Sequence, residues 1–92
     1  MTTLKIENYL DRIVKEKGLK PSRISVFIAL LYLWNEQKCR NPFQISRKKI
    51  MKLSGVKSIV TYHTSISELK DRGIVEYRPS YHPKLGSRVK LK

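Results

Sequence analysis

The chain has 92 residues, 40% of them apolar, enough for one small core and too few for a second domain. Twenty Lys and Arg against seven Asp and Glu leave a formal charge of +13, far beyond the incidental surface of an ordinary globular enzyme, so a polyanion is the first partner to consider. Cys39 is the single cysteine, no signal-peptide pattern opens the sequence, and the longest apolar run, Val26 to Trp34, is too short to span a bilayer; these features predict a cytoplasmic protein without disulfides or membrane contact.

From Thr3 to Lys17, Leu4, Ile6, Tyr9, Leu10, Ile13 and Val14 recur at three- and four-residue spacing among charged residues, which predicts an amphipathic helix closed at Gly18. Pro21 suits the first turn of a second helix, Ser22 to Lys38, whose run from Val26 to Trp34 leaves almost no polar stripe. Such a helix needs cover on every flank. A homodimer through these two N-terminal helices would supply it; the pattern fits the central core helix of a monomer equally well.

Asn41-Pro42 ends this region, and Phe43 to Ile45 suits a short extended piece. Ser46 is placed to cap a helix from Arg47 to about Leu53, with Ile50 and Leu53 inward and Arg47, Lys48, Lys49 and Lys52 outward. Three cations in its first turn oppose the helix dipole, a local conflict that an arriving phosphate would relieve. Gly55 supplies a turn with Val56 tucked beneath it, and Ser58 caps a further helix that stops at Gly73.

On that helix Ile59, Tyr62, Ile66 and Leu69 share the face expected inward. Lys57, Val60, Thr61 and Thr64 lie opposite, with His63 and Ser67 at the edges. The carboxylates Glu68 and Asp71 come only in the last turns, and Glu68 is spaced to pair with Arg72. A helix entering a major groove does so with its N-terminal part, where hydroxyls, an imidazole and an apolar side chain can approach base edges. Ile74 to Arg78 and Arg88 to Lys92 have strand composition, with Val89 and Leu91 on one face, which predicts a hairpin. Its connection, from Pro79 to Ser87, carries Tyr81, His82 and Lys84 and is flanked by Arg78 and Arg88.

The charge is uneven in the same direction. Met1 to Asn41 holds eight basic and four acidic residues; Pro42 to Lys92 holds twelve and three, so +9 of the surplus accompanies the paired helices. Catalytic chemistry finds no footing. His63 and Ser65 of a notional triad with Asp71 point to different helix faces, no phosphate-cradling Gly loop is present, and Cys39, His63 and His82 lack metal-ligand spacing. The expectation is no enzyme, no metal and no cofactor.

The order helix, helix, short strand, helix, Gly turn, helix, strand, basic loop, strand resembles the winged helix-turn-helix family: mainly α with a small β-hairpin. The resemblance is carried by ISRKKIMKLSGVKSIVTYHTSISELKDRGIVEYRP, with its Ile66-x-x-Leu69-x-x-x-Gly73-Ile74-Val75 exit, and by the loop SYHPKLGSRVKL. The part from NPFQISR onward also resembles small winged-helix proteins encoded on bacterial mobile elements. It implies one winged-helix domain over residues 1–92: N-terminal helices in 1–41, the helix-turn-helix in 42–73 and the wing in 74–92.

What the resemblance implies is a nucleoid-associated, double-stranded DNA-binding protein, a transcriptional regulator or an accessory factor of a mobile element. Arg47, Lys48, Lys49, Lys52 and Lys57 would hold phosphates. Ser58, Val60, Thr61, His63, Thr64 and Ser67 would face bases, and Arg78, Tyr81, His82, Lys84, Ser87 and Arg88 would form the wing. Many winged-helix regulators place Arg in the first turns of the recognition helix, where Ile59, Val60, Thr61 and Thr64 stand here, so bidentate guanine reading is not expected. The class-distinct alternative is a docking module for an acidic protein. RNA is less favoured, because its narrow A-form major groove excludes a helix.

Overall fold

The computed structural model describes residues 2–79 and 87–92, with side chains from Ile6 onward; Leu4 of the expected α1 face and the loop residues Tyr81, His82 and Lys84 lie outside what is described. Four helices and three strands follow in the order α1 (Thr2–Lys15), α2 (Pro21–Glu36), β1 (Phe43–Ile45), α3 (Arg47–Ser54), α4 (Ile59–Asp71), β2 (Val75–Arg78) and β3 (Ser87–Leu91). The fold is therefore mainly helical with a small antiparallel sheet, in which β3 is central and β1 and β2 flank it. None of the described helices is long and apolar enough to cross a membrane.

The core is built around α2. Val26, Phe27, Ala29, Leu30, Leu31, Leu33 and Trp34 are all buried, packed under Ile13 of α1, Ile50 of α3, and Tyr62, Ile66 and Leu69 of α4. Cover is thus supplied on most flanks from within the chain, leaving a narrow exposed stripe whose apolar members are Ile28 and Tyr32, 50% and 52% exposed. Tyr9 meets Trp34 edge to face, with ring centroids 5.3 Å apart.

Three apolar residues expected on inward faces point out instead. Val14 is 78% exposed, because α1 turns Ile6, Tyr9, Leu10 and Ile13 toward α2 and position 14 falls about a quarter-turn from the centre of that arc. Leu53 is also exposed: the inward arc of α3 runs through Ile50, Met51 and Ser54. Ile59 sits at the margin of the α4 arc, in the first turn, and remains half exposed.

Helix ends follow local chemistry. The Ser46 and Ser58 hydroxyls accept from the backbone N–H groups of Lys49 and Thr61, at 3.5 and 3.3 Å. Gly55 stops α3 in the left-handed region at φ 75°. At the end of α4, Gly73 takes φ 71°, Ile74 N–H donates to the Leu69 carbonyl at 3.0 Å, and the Ile74 side chain is buried beneath the turn. The second helix ends at Glu36, about two residues before the expected Lys38. Lys38 and Cys39 both adopt left-handed φ near 60°, and the Cys39 N–H closes the end by donating to the Trp34 carbonyl at 2.9 Å.

The sheet closes one side of the core. Phe43 pairs with Val89, and Val75 with Leu91, and all four side chains face inward. Outside β1, the Gln37 side chain bonds the Gln44 backbone twice: its Nε2 donates to the Gln44 carbonyl at 2.7 Å, and its Oε1 accepts from the Gln44 N–H at 3.0 Å.

Lys38 is exposed and, with Cys39, is one of two described non-glycine residues held at positive φ. Lys38→Gly is expected to stabilise the chain by ~0.5–1 kcal/mol, the left-handed penalty less the extra backbone entropy of glycine. Thermal denaturation of the variant checks this; a lowered midpoint would refute it.

Candidate nucleic-acid interface

The residues that place α4 are charged and lie on its inner side. Arg23 of α2 is only 7% exposed, and its Nε donates to Glu68 Oε1 at 2.8 Å; Arg72 holds the other oxygen at 2.9 Å, as the one-turn spacing predicts. Arg72 also donates to the Lys17 carbonyl, and Arg12 bridges the carbonyls of Gly73 and Lys92 at 2.9 and 3.1 Å. A buried guanidinium without a partner would be strongly destabilising, so this brace fixes where α4 crosses α2. The hydrogen bond from Arg23 holds the Glu68 carboxyl below its usual range, against the opposing pull of burial and with help from the charges of Arg72 and Arg23.

The inward face of α4 comprises Tyr62, Ser65, Ile66 and Leu69. Ser65 is fully buried, with its hydroxyl donating to the Thr61 carbonyl at 2.7 Å, a core role its polarity concealed in the sequence. Opposite stand Val60, Thr64 and Ser67 in one exposed stripe, with His63 beside them. Thr61 is half-buried on the flank, and Ser58 is exposed with its oxygen committed to the cap. Thr64 is exposed too, but its hydroxyl is turned back to donate to the Val60 carbonyl at 2.8 Å.

A cleft of about 790 Å³ lies between the start of α3, the start of α4 and the sheet. Into it the fold gathers Arg47, Lys48 and Lys49 with His63 and Ser87; it adds Tyr62, expected only as a core residue, Gln44 and Tyr77, which the sequence did not single out, and one carboxylate, Glu36, from the end of α2. The Tyr62 phenol is pushed up to about 12 by burial, reinforced by Tyr77 and opposed by Arg47, so it keeps its proton at any physiological pH. Its ring meets His63 edge to face at 5.1 Å, and the Tyr77 and Ser87 hydroxyls lie 3.0 Å apart across β2 and β3. A shallower hollow on α4 is lined by His63, Thr64, Ser67, Glu68 and Asp71. His63 therefore borders both concavities.

The other predicted cations, Lys52 and Lys57, are exposed but outside the cleft, as are Arg78 and Arg88. Arg78 and Arg88 are directly opposed in the β2–β3 register, a like-charge pair that costs stability unless counter-charged; Glu76 reaches Arg78 at 3.3 Å, and among the described residues no carboxylate pairs with Arg88. The same holds for Arg47, Lys48, Lys49, Lys52 and Lys57: the ion pairs among the described residues involve none of them. Chemically, the arrangement is a cationic rim beside an uncharged helical face, with hydrogen-bonding side chains at their junction. Comparison with protein-family models, curated proteins and solved structures finds no match to this chain.

Because the folded chain binds the Glu68 proton less readily than the unfolded chain, its stabilisation is complete above the ordinary carboxylate range and is lost as pH falls through the lowered folded value. Glu68→Gln should lower the thermal midpoint at neutral pH and flatten the acid side of the stability profile. An acid profile parallel to that of the parent protein would show that the brace carries no such linkage.

Proposed function

We propose that the chain is a double-stranded DNA-binding protein of winged helix-turn-helix type, nucleoid-associated, serving as a transcriptional regulator or as an accessory factor of a mobile element. The observation that carries this reading is the division of the cations. Arg12, Arg23 and Arg72 are spent on holding elements together, whereas Arg47, Lys48, Lys49, Lys52 and Lys57 stand exposed on α3 and in the turn before α4 and form no ion pair with a carboxylate among the described residues. Uncompensated positive charge at the start of α3, where no acid offsets the dipole, costs stability and suits a bound phosphate.

In this reading the rim anchors the sugar-phosphate backbone. The exposed face of α4 enters the major groove, and the β2–β3 hairpin, with Arg78, Ser87 and Arg88, lies against the flanking strand. The Glu68 charge, already held by two guanidiniums, would not oppose the approach of phosphate.

A second reading, docking to an acidic protein, draws on the exposed apolar residues Leu53, Ile59 and Val60 beside the same cations. The stripe of Ile28 and Tyr32 supports a companion proposal, a homodimer through the N-terminal helices, which a monomeric solution mass at high micromolar concentration would end.

Two measurements check the DNA reading. Affinity for mixed duplex DNA should fall with salt along a slope corresponding to roughly 5 to 8 neutralised phosphates, and binding weaker than about millimolar at low salt would refute it. Lys48→Ala should weaken all duplexes alike, reduce that slope by about one, and leave folding intact or slightly stabilised. Thr64→Ala should instead change preference among duplexes; identical effects of the two variants on every sequence would remove Thr64 from the reading face.

A further inference from the structure

We infer that α4 reads thymine through its 5-methyl group, with Val60 and Thr64 as the contact residues, so the favoured target is duplex DNA with A·T pairs at the groove-facing positions. The inference rests on the duplex-DNA reading above and names the class of base edge which that face accepts.

The exposed stripe lacks the side chains that read purines. Bidentate recognition of guanine or adenine requires Arg, Lys, Asn or Gln, and from Ile59 to Leu69 the helix carries none of them. Its candidate hydrogen-bond donors are also fewer than the sequence suggests. The Thr64 hydroxyl proton is used at 2.8 Å on the Val60 carbonyl, and the Ser65 hydroxyl is buried and used on the Thr61 carbonyl. Of the remaining donors, Ser67 lies in the stripe, His63 beside it, Thr61 on the flank and Ser58 at the cap, and none of these presents the paired groups of a bidentate contact.

The stripe does offer methyl groups. Val60 is 74% exposed at the centre of the outward face in the first turn, and Thr64 stands one turn on with its hydroxyl folded back onto the helix, leaving its methyl as the group presented. Among the four bases only thymine displays a methyl in the major groove, where it is the apolar feature that such a surface can bury. An exposed valine in a first turn is otherwise a poor choice, since β-branched residues are weaker helix formers than alanine. The same branching makes the choice useful for contact: Val60 has essentially one side-chain rotamer in a helix, so it loses little freedom on binding.

The test uses a short alternating duplex of dA and dT and the same duplex with dU replacing dT, which removes the methyl and keeps the hydrogen-bonding edge. The wild-type chain is expected to bind the dU duplex about fourfold more weakly per buried methyl. Val60→Ala should weaken binding to the dT duplex by a similar factor and reduce the dU effect, and the Val60→Ala/Thr64→Ala double variant should abolish it. Alanine favours helix at both exposed positions, so these variants keep the fold. Equal wild-type affinity for the two duplexes with the salt slope intact would overturn the thymine assignment and leave DNA binding standing. Undiminished dU sensitivity in the double variant would overturn the assignment to these residues. Absence of binding to either duplex would overturn the DNA reading and this inference with it.

Discussion

The buried guanidinium of Arg23 is the constraint on which the arrangement depends. It sits in a helix otherwise committed to the core, so it must have a carboxylate, and Glu68 is the one within reach. That demand sets the crossing of α2 and α4, because sliding α4 by one turn would strand a charge in a poorly solvated place. Arg72 and Arg12 extend the brace to the α1–α2 connection and to the exit of α4. Apolar packing of Leu69 and Ile66 gives the contact its bulk, but hydrophobic contact alone is non-directional. The ionic contact supplies the register.

This use of charge separates two populations that the sequence presents as one. The +13 surplus, though weighted toward the second half of the chain, does not tell the two apart. In the fold, several arginines are turned to carbonyls and carboxylates at the back of α4, while the lysines of α3 and the Gly55 turn keep their charges exposed. Arginine suits the first task, with its planar fork matched to carboxylates and carbonyls, and lysine suits the second as a solvated point charge. The division is one of place more than of residue type, because Arg47, Arg78 and Arg88 stand exposed with the lysines.

Much of the fold was legible because it is local. Ser46, Ser58, Gly55 and Gly73 announce their caps and turns through chemistry confined to a few residues, and the alternation of Val89 and Leu91 declares the inward face of β3. What was not legible depends on partners distant in sequence. Leu53, Ile59 and Val14 belong to amphipathic patterns, yet whether each is covered depends on how far a neighbouring helix extends over it. The end of α2 was misplaced because two non-glycine residues accept left-handed geometry there, against their intrinsic preference. Within the candidate site, the cations and His63 were identifiable from charge and helical spacing. Gln44 and Tyr77 were not, since only the β1–β3–β2 pairing brings them to the same cleft. Arg23 did leave a signal: a lone cation in an apolar helix implies a buried partner.

The amide of Gln37 has a consequence for how this molecule keeps apart from its own copies. β1 is only three residues long, and the one residue whose backbone groups can face away from β3 is Gln44, both of whose groups are already satisfied by that amide. A side chain thereby imitates a further strand and ends the ladder, so no extended peptide can dock along this border without first displacing it. For a chain with so small a sheet, one glutamine is enough to forestall runaway edge-to-edge polymerisation at that border.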